Sequence, residues 1–487
     1  MTPTLERPAL LTDLYQLTML GGHFGLGGRD RRAVFEYFFR QLPPHTGYAI
    51  FAGLDEFLGA LECMRFHDED LAYLARLGTF DPAFIEHLRG FRFSGEIWAV
   101  PEGSVVFPYE PLVRVSAPLA EAQLIETLLL NVLNYQTLVA TKAARIAEAA
   151  GTDPILEFGL RRAQGPDGAL SGSRAAYVGG CAATSNVAAG QRWGIPVRGT
   201  HAHAWVMSFP TELEAFRGYA KVFPQAPLLL VDTYDTLRSG VPNAITVFKE
   251  LRAAGRDVRA AIRLDSGDLA KLSIEAHRML VTAGFDDPLI VASNDLDEDL
   301  VADLKRQGAK VNCWGIGTKL VTGGANPALG GVYKLAGVED IGGAWRATMK
   351  VSGNPEKTTD PGVKLPVRFY DAAGHPAGDV LFAADEAMPE PAQRVHSPDR
   401  QFSGRRLTLP QHSKRRVLQE RVFADGRRVL SERPLSQIRS FAREEVAALP
   451  AELRRLRNPE RYWVGLSEEL ARRKAAEVER LEALLAP

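Results

Sequence analysis

Two histidines stand two residues apart in the stretch RGTHAHAWVMSF (198–209). His201 and His203 are two of only ten histidines in the 487-residue chain. The apolar run IPV precedes them, so the spacing predicts a strand that points both imidazoles to one face. The pair could bind a metal, transfer protons, or combine one reactive imidazole with a structural one. Because no HxxxH, HExxH or nearby Cys/His spacing supplies further metal ligands, the sequence favours a general acid/base or a nucleophile.

A second group with chemical potential lies in AIRLDSGDL (261–269). Arg263 and Asp265 are two residues apart, so they share one face of a strand. A buried arginine needs a charged partner, and its planar guanidinium suits a carboxylate, which it can bind through two parallel hydrogen bonds. The alternative is a structural ion pair between Arg263 and Asp265.

Aspartates recur at the ends of apolar runs. Asp232 in VDTYDT, together with Asp265 and Asp268, could hold Mg²⁺ through water, since Mg²⁺ keeps several waters at phosphate sites. We predict Asp232 and Asp268 as the metal ligands. Helix capping and turn formation are the alternatives for each aspartate.

Glycines and arginines suggest a site for phosphate. In NCWGIGT (312–318), a strand runs into a helix through Gly317 and Thr318, which would present backbone N–H groups and a hydroxyl. Arg161 and Arg162 in EFGLRRAQGPDG could counter phosphate charge. The alternatives are a tight turn for the glycines and ordinary surface positions for the arginines.

The elements that must position these groups alternate between β and α from about residue 151 to residue 335. Polar or glycine clusters follow six apolar runs: PILEFGL, IPVRGTHAH, LLLVDTYDT, AAIRLDSGD, LIVASND and NCWGIGT. Reactive groups at the carboxyl ends of many strands are typical of a (β/α) barrel, whose strand ends meet on one face. An open doubly wound sheet is the alternative.

Around this region we predict two further parts. Residues 1–130 form an α+β domain with strand candidates AVFEYFF and GEIWAV, and residues 131–349 form the α/β barrel. Residues 350–487 form a C-terminal region that packs partly on the N-terminal domain and closes with a helix, for which Ser467 is a plausible N-cap.

Composition argues against several classes of protein. With 58 basic and 59 acidic residues, the net charge of -1 gives no reason to expect nucleic acid or an anionic membrane as partner. The first residues lack a secretory signal, and no apolar run is long enough to span a bilayer, so we expect a cytoplasmic protein. The three cysteines are widely spaced and predict neither a disulfide framework nor a zinc ribbon.

The motifs together resemble those of the nicotinate phosphoribosyltransferases. The resemblance rests on LLTDLYQLTM, EFGLRRAQGPDG, GTHAHAW, LLVDTYDTLRSGVPNA, IRLDSGDL, VASNDLDE, GIGTKLVT, LGGVYKL and NPEKTTDPGVK, in this order. It implies an α/β fold, an irregular (β/α) barrel with an additional α+β domain. It also implies ATP-dependent, ligase-type joining of nicotinate to 5-phosphoribosyl 1-diphosphate, through a phosphohistidine, in NAD salvage.

The resemblance assigns roles to individual residues. His203 falls on the phosphorylated histidine of a GTxAH motif, whereas His201 falls on its variable position. Thr200 and Arg263 fall where nicotinate is bound, and Tyr15 matches an aromatic residue that packs on the pyridine ring.

The remaining site residues concern the second substrate. Thr318 matches a phosphate ligand of 5-phosphoribosyl 1-diphosphate, and we predict that Gly317, Arg162 and Ser293 join it. We predict that Asp265 assists catalysis by stabilising positive charge on the ribose.

The family further implies Mg²⁺ (or Mn²⁺) as cofactor, ATP as co-substrate, and a homodimer with shared active sites. Nicotinamide or quinolinate is the alternative substrate, and a regulatory protein that has lost its chemistry is the alternative class. The sequence lacks the GxGxxG fingerprint that a nicotinamide-dinucleotide oxidoreductase would need.

Overall fold

The computed structural model describes residues 3–225, 227–389, 395–402, 404–409 and 414–485. The chain divides into two compact units: the first comprises residues 1–141 and 328–487, and the second comprises residues 142–327. The predicted domain borders at 130/131 and 349/350 stay predictions.

The helices of the described chain number seventeen, apart from short 3₁₀ and π turns. They are α1 (Leu14–Gly25), α2 (Leu54–Cys63), α3 (Asp68–Arg76), α4 (Pro82–Arg89), α5 (Leu119–Leu124), α6 (Glu126–Ala150), α7 (Gly165–Val178), α8 (Val187–Trp193), α9 (His203–Met207), α10 (Glu212–Val222), α11 (Val241–Ala253), α12 (Leu269–Thr282), α13 (Glu298–Arg306), α14 (Thr318–Val321), α15 (Leu435–Ala447), α16 (Ala451–Arg454) and α17 (Glu468–Leu485). Across the residues that the structure describes, none of these helices has the length and apolar character needed to cross a membrane.

The strands are mostly short. They are β1 (Arg32–Phe39), β2 (Ala49–Ile50), β3 (Glu96–Ala99), β4 (Val105–Val106), β5 (Val113–Pro118), β6 (Ile155–Glu157), β7 (Ala183–Thr184), β8 (Leu228–Leu230), β9 (Ala261–Leu264), β10 (Leu289–Ser293), β11 (Cys313–Ile316), β12 (Gly331–Glu339), β13 (Trp345–Ala347), β14 (Lys364–Tyr370), β15 (Pro376–Ala383), β16 (Val395–Pro398), β17 (Arg406–Leu409), β18 (Arg415–Val417), β19 (Glu420–Ala424), β20 (Arg427–Arg428) and β21 (Val464–Leu466).

The first unit is built on an antiparallel sheet of seven strands in the order β13-β12-β1-β5-β3-β19-β20. Strand β1, in the interior of this sheet, carries the aromatic and β-branched residues that favour a buried strand. Phe35 of β1 stacks on Tyr333 of β12, with ring centroids 4.8 Å apart, in the apolar core under this sheet. A second sheet, β18-β14-β15-β21, and the two pairs β16-β17 and β2-β4 complete the unit.

The second unit is built on a parallel sheet of six strands in the order β7-β6-β11-β10-β9-β8. The chain is therefore a mixed α/β protein, as the sequence predicts. One face of this sheet buries Leu156, Ala183, Val291 and Cys313. Because all six strands run in the same direction, their carboxyl ends lie along one edge of the sheet.

One predicted strand differs from the structure. The run IPVRGTHAH is not a strand, since Val197 makes only a single bridge, to Thr184, and residues 198–202 have no regular structure. The N-cap at Ser467 is confirmed, because its hydroxyl accepts a hydrogen bond from the Leu470 N–H at 3.0 Å.

Candidate active site

His203 is the first residue of α9, and His201 lies in the irregular segment before it. The prediction that both imidazoles share a strand face is wrong. Its physical cause is the hydrogen bonding of this segment: the Thr200 hydroxyl donates to the Leu228 carbonyl oxygen, and the Leu230 N–H donates to His201 Nε2 at 3.3 Å. Side chains thus replace the backbone ladder that a strand would need. As a result His201 is buried, whereas the side chain of His203 is 39% exposed.

Three side chains from two strand ends surround the His203 ring. The Thr233 hydroxyl lies 3.1 Å from Nδ1. On the other side, Asp232 Oδ1 and Asp265 Oδ2 lie 4.0 Å and 3.9 Å from Nε2. These two distances exceed hydrogen-bond length, so the carboxylates act on the ring through their charge.

Asp232 has two oxygens in different environments. Oδ2 accepts hydrogen bonds from the Asp265 N–H at 2.8 Å and from the Ser266 hydroxyl at 2.7 Å, which fixes the turn after β9. Oδ1 is buried and has no hydrogen-bond partner in the described part of the chain. A buried carboxylate oxygen without a partner carries a desolvation cost, so it is suited to a cation or to a proton donor on a substrate.

Arg263 is fixed by the neighbouring strand ends. Its Nε donates to Ser293 Oγ at 2.8 Å, and Nη2 donates to Asp265 Oδ1 at 2.9 Å. The guanidinium carbon lies 5.5 Å from the centre of the Phe158 ring. The ion pair with Asp265, which the sequence offers as the alternative to ligand binding, therefore forms. Nη1 makes no hydrogen bond within the described residues, which leaves donors for an anionic ligand.

Gly315 makes room for this arrangement. The register pairs Val291 with Arg263 and Ser293 with Gly315, so Arg263, Ser293 and Gly315 share one face of the sheet. A Cβ at Gly315 would lie 2.6 Å from Cε2 of Phe158. The glycine is therefore required for the ring to lie beside the guanidinium.

Three of the four predicted phosphate residues follow the adjacent strands β6 and β11, and the fourth, Ser293, ends β10. Gly317 is the N-cap of α14 and Thr318 its first residue. A Cβ at Gly317 would lie 2.8 Å from the carbonyl oxygen of Phe158, so backbone packing requires this glycine. Arg162 ends a 3₁₀ turn, Leu160–Arg162; its side chain is exposed and forms no ion pair with any described residue.

Asp268 caps a helix of the second unit, and Tyr15 belongs to the first unit. Asp268 Oδ1 accepts from the Lys271 N–H at 3.0 Å and so caps α12, which is the alternative expected for it. Tyr15 lies in the first turn of α1 in the first unit and is 48% exposed, so it is not a core residue. Among the described residues, no group of three or more His, Cys, Asp or Glu side chains is arranged to hold a metal ion.

Sequence reasoning missed two contributors to this site. Thr233 follows Asp232 in a strand-end cluster, but only the folded chain shows that its hydroxyl contacts His203. Phe158 lies in the EFGLRR motif, and the aromatic ring between a buried strand and a glycine is the signal that could have identified it.

Comparison with known proteins bears on the whole chain. Residues 10–134 match the family model of the nicotinate phosphoribosyltransferase (NAPRTase) N-terminal domain, and residues 363–474 match that of the nicotinate phosphoribosyltransferase C-terminal domain. The chain is 45% identical over 463 residues to a nicotinate phosphoribosyltransferase of Bacillus subtilis, covering 95% of this chain and 93% of that protein. It is 39% identical over 520 residues to the human nicotinate phosphoribosyltransferase, covering 95% of each.

A solved structure agrees with these relatives. The crystal structure of human nicotinic acid phosphoribosyltransferase superposes with a TM-score of 0.84 at 34% sequence identity, covering 96% of this chain and 100% of that one. With an identity of 45% to one relative and coverage of nearly its full length, the chain belongs to the nicotinate phosphoribosyltransferase family.

Proposed function

We propose that the protein joins nicotinate to 5-phosphoribosyl 1-diphosphate, giving nicotinate mononucleotide and diphosphate, with ATP hydrolysis through a phosphohistidine at His203. The reaction would begin NAD salvage from nicotinate. The observation that carries the proposal is the exposed His203 imidazole, held by the Thr233 hydroxyl and facing the carboxylates of Asp232 and Asp265. Family membership supports the substrates.

The bond changes are simple. The γ-phosphoryl group of ATP passes to a ring nitrogen of His203 with release of ADP, and water later hydrolyses this bond to phosphate. In the synthetic step the nicotinate nitrogen forms a bond to C1 of the ribose as the bond from C1 to diphosphate breaks. Positive charge develops on the sugar, so Asp265 is suited to stabilise it.

Nicotinate carries a carboxylate, which accounts for Arg263. Nε and one Nη2 hydrogen are used by Ser293 and Asp265, and the remaining donors would bind the substrate. Thr200 already donates to Leu228, but its hydroxyl oxygen could still accept a hydrogen bond from a ligand. Tyr15 would pack on the pyridine ring.

For 5-phosphoribosyl 1-diphosphate we propose Thr318, Gly317, Arg162 and Ser293. The support is that Arg162 is exposed and forms no ion pair with any residue that the structure describes, and that Gly317 permits a close approach of the backbone. An exposed, unpaired arginine is suited to bind phosphate through two hydrogen bonds.

Asp232 and Asp268 would hold Mg²⁺ (or Mn²⁺). The unpartnered Oδ1 of Asp232 fits a hydrated cation, whereas Asp268 would contribute the oxygen that does not cap α12. A bound divalent ion would neutralise charge that develops on the departing diphosphate. Since the described residues offer no cluster of three ligands, water and substrate oxygens would complete the shell.

We also propose a closed, irregular barrel in the second unit, a homodimer with shared active sites, and a cytoplasmic location. The exposed apolar side chains of α1, Leu14, Tyr15 and Met19, support a surface that another subunit covers.

Steady-state assays with nicotinate, nicotinamide and quinolinate, each with and without ATP, test the proposed function. We expect nicotinate to be the preferred substrate and ATP to stimulate its conversion. Preferred turnover of nicotinamide would contradict the role of Arg263, because a neutral amide needs no cationic partner.

A further inference from the structure

Strand β8 is an edge strand of the parallel sheet. It pairs with β9 on one side, and no described strand pairs with its other edge. The Val231 N–H donates to the Arg263 carbonyl oxygen of β9 at 3.2 Å. Because backbone groups alternate in direction along a strand, the N–H and C=O groups of Leu228 and Leu230 point to the opposite, open edge. Unpaired backbone groups that are buried must find other partners.

The segment 197–201 supplies those partners. Thr200 donates its hydroxyl to the Leu228 carbonyl oxygen, and His201 Nε2 accepts from the Leu230 N–H at 3.3 Å. The same segment is also bonded to β7 at the opposite edge of the sheet, where the Arg198 N–H donates to the Thr184 carbonyl oxygen at 2.9 Å. Segment 197–201 therefore bonds to both edge strands, and His201 makes one of its two bonds to β8.

The His201 ring is buried and packed at this position. Its exposed fraction is 8%, and it lies against the edge of Tyr219 with ring centroids 4.7 Å apart. Burial, together with the charges of Arg263 and His203, lowers the pKa of the His201 imidazole. A neutral ring with the proton on Nδ1 leaves Nε2 as the acceptor that the Leu230 N–H requires.

The bond to Leu230 joins the two parts of the site. Two residues before His203, His201 fixes the loop that leads into α9. On the other side, β8 leads directly into Asp232 and Thr233, which face Nε2 and Nδ1 of His203. A shift between loop and strand would change the 3.1 Å separation between Thr233 Oγ1 and His203 Nδ1.

We propose that His201 is a positioning residue. By accepting the Leu230 N–H at the open edge of β8, it holds His203 in register with Asp232 and Thr233. The proposal rests on the proposed role of His203 for its effect on activity. The geometric part concerns only the folded chain and can be tested separately.

Three variants separate the hydrogen bond from the packing. His201→Phe keeps a ring against Tyr219 but has no acceptor. His201→Gln places an amide oxygen near the position of Nε2, and His201→Asn carries an amide too short to reach the Leu230 N–H. His277→Phe, a partly exposed histidine of α12, is the matched control.

We expect His201→Phe and His201→Asn to lower the ATP-stimulated kcat about 10- to 100-fold, because small misplacements of a reactive group cost this much, with the KM for nicotinate little changed. We expect His201→Gln to recover activity to within about threefold of the native enzyme, because it restores the acceptor. We expect His277→Phe to match the native enzyme, because His277 lies outside the site. Equal activity of the Phe, Asn and Gln variants would overturn the proposal. If His201→Phe does not fold, the comparison of Asn with Gln decides by the same criterion.

Crystal structures of the His201→Asn and His201→Gln variants give a readout that does not depend on catalysis. The distance between His203 Nδ1 and Thr233 Oγ1 should exceed hydrogen-bond length in the Asn variant and remain near the native 3.1 Å in the Gln variant. An unchanged distance in both would overturn the positioning role. If the native enzyme formed no phosphohistidine, the proposed function would fail, while these distances would still decide whether His201 positions the ring.

Discussion

Both nitrogens of the His203 ring have polar neighbours. The Thr233 hydroxyl contacts Nδ1, and the carboxylates of Asp232 and Asp265 lie beside Nε2. At the scale of residues, the site thus combines a partly exposed imidazole with a hydroxyl and two carboxylates held in fixed positions.

Arg263 offers a prediction about substrate binding. Replacing it with lysine should raise the KM for nicotinate about 10-fold or more, because hydrogen bonds to charged groups contribute about 1.5–3 kcal/mol and lysine lacks the planar fork. Steady-state kinetics at saturating 5-phosphoribosyl 1-diphosphate measure this effect.

The matched control is Arg259→Lys, at an exposed ion pair with Asp287, which should leave KM unchanged. An unaltered KM in Arg263→Lys would show that the guanidinium serves only its ion pair with Asp265.

The sequence predicted these residues because each belongs to a short polar cluster at the end of an apolar run. It could not predict that Thr233 contacts His203, since the two are brought together by the approach of a loop to a strand thirty positions away. It also placed both histidines on one face, because spacing alone does not show that side chains would take over the backbone bonds of β8.

At the scale of elements, five of the six predicted strand segments form parallel strands, β6, β8, β9, β10 and β11. The sixth, IPVRGTHAH, is irregular. The sheet contains β7 instead, which the sequence did not reveal because two residues are too few for a periodic pattern. The alternation of β and α segments was sufficient to predict the fold class. The edges of the sheet could not be predicted in this way, because they depend on tertiary hydrogen bonds.

The close packing of β11 on Phe158 gives a prediction about stability. Gly315→Ala should destabilise the protein by about 1–3 kcal/mol, because the added methyl group overlaps the Phe158 ring. It should also weaken nicotinate binding, since the displaced ring lies beside Arg263. Thermal unfolding and the KM for nicotinate are the measurements.

Gly168→Ala in α7 is the control, because an added Cβ there meets no atom within 4 Å. It should be neutral or stabilise by up to about 1 kcal/mol, as alanine is the better helix former. A Gly315→Ala variant as stable as Gly168→Ala would contradict the packing described for β11.

At the scale of the whole molecule, stability in acid should depend on a buried charge cluster in the first unit. Burial opposes ionisation of Asp360, but Arg400, Lys474 and Lys364 outweigh it and lower the pKa of Asp360 to about 2. A carboxyl with a depressed pKa stabilises the fold above its unfolded pKa of about 4, and this contribution of about 2 kcal/mol is lost as pH falls from 4 towards 2. Burial also lowers the pKa of Lys474, which bears on alkaline rather than acid stability.

Thermal unfolding between pH 2 and pH 7 tests this dependence. Asp360→Asn should be less stable at pH 7 and should lose less stability on acidification than the native protein. Asp287→Asn, at the exposed pair with Arg259, should keep the native profile. Parallel profiles for the native protein and Asp360→Asn would show that other carboxyls cause the acid transition.

A shared active site predicts complementation between subunits. If Tyr15 of one subunit serves His203 of the other, mixed dimers of Tyr15→Ala and His203→Ala subunits contain one intact site and should recover up to half of the native activity per dimer. Activity of separately tagged, co-purified mixed dimers measures this recovery, with each homodimer as control. Failure to recover activity in a stable mixed dimer would place Tyr15 and His203 in the same subunit's site, or remove Tyr15 from the site.

The proposed function depends on a phosphohistidine at His203, which labelling with γ-³²P-ATP can detect. The native enzyme, incubated with labelled ATP, should form an acid-labile, alkali-stable phosphoenzyme, and nicotinate with 5-phosphoribosyl 1-diphosphate should be converted faster when ATP is present. His203→Ala should form no phosphoenzyme and should lose the ATP stimulation, while slow ATP-independent transfer remains. Undiminished label in His203→Ala would rule out His203 as the phosphate acceptor and place the acceptor elsewhere.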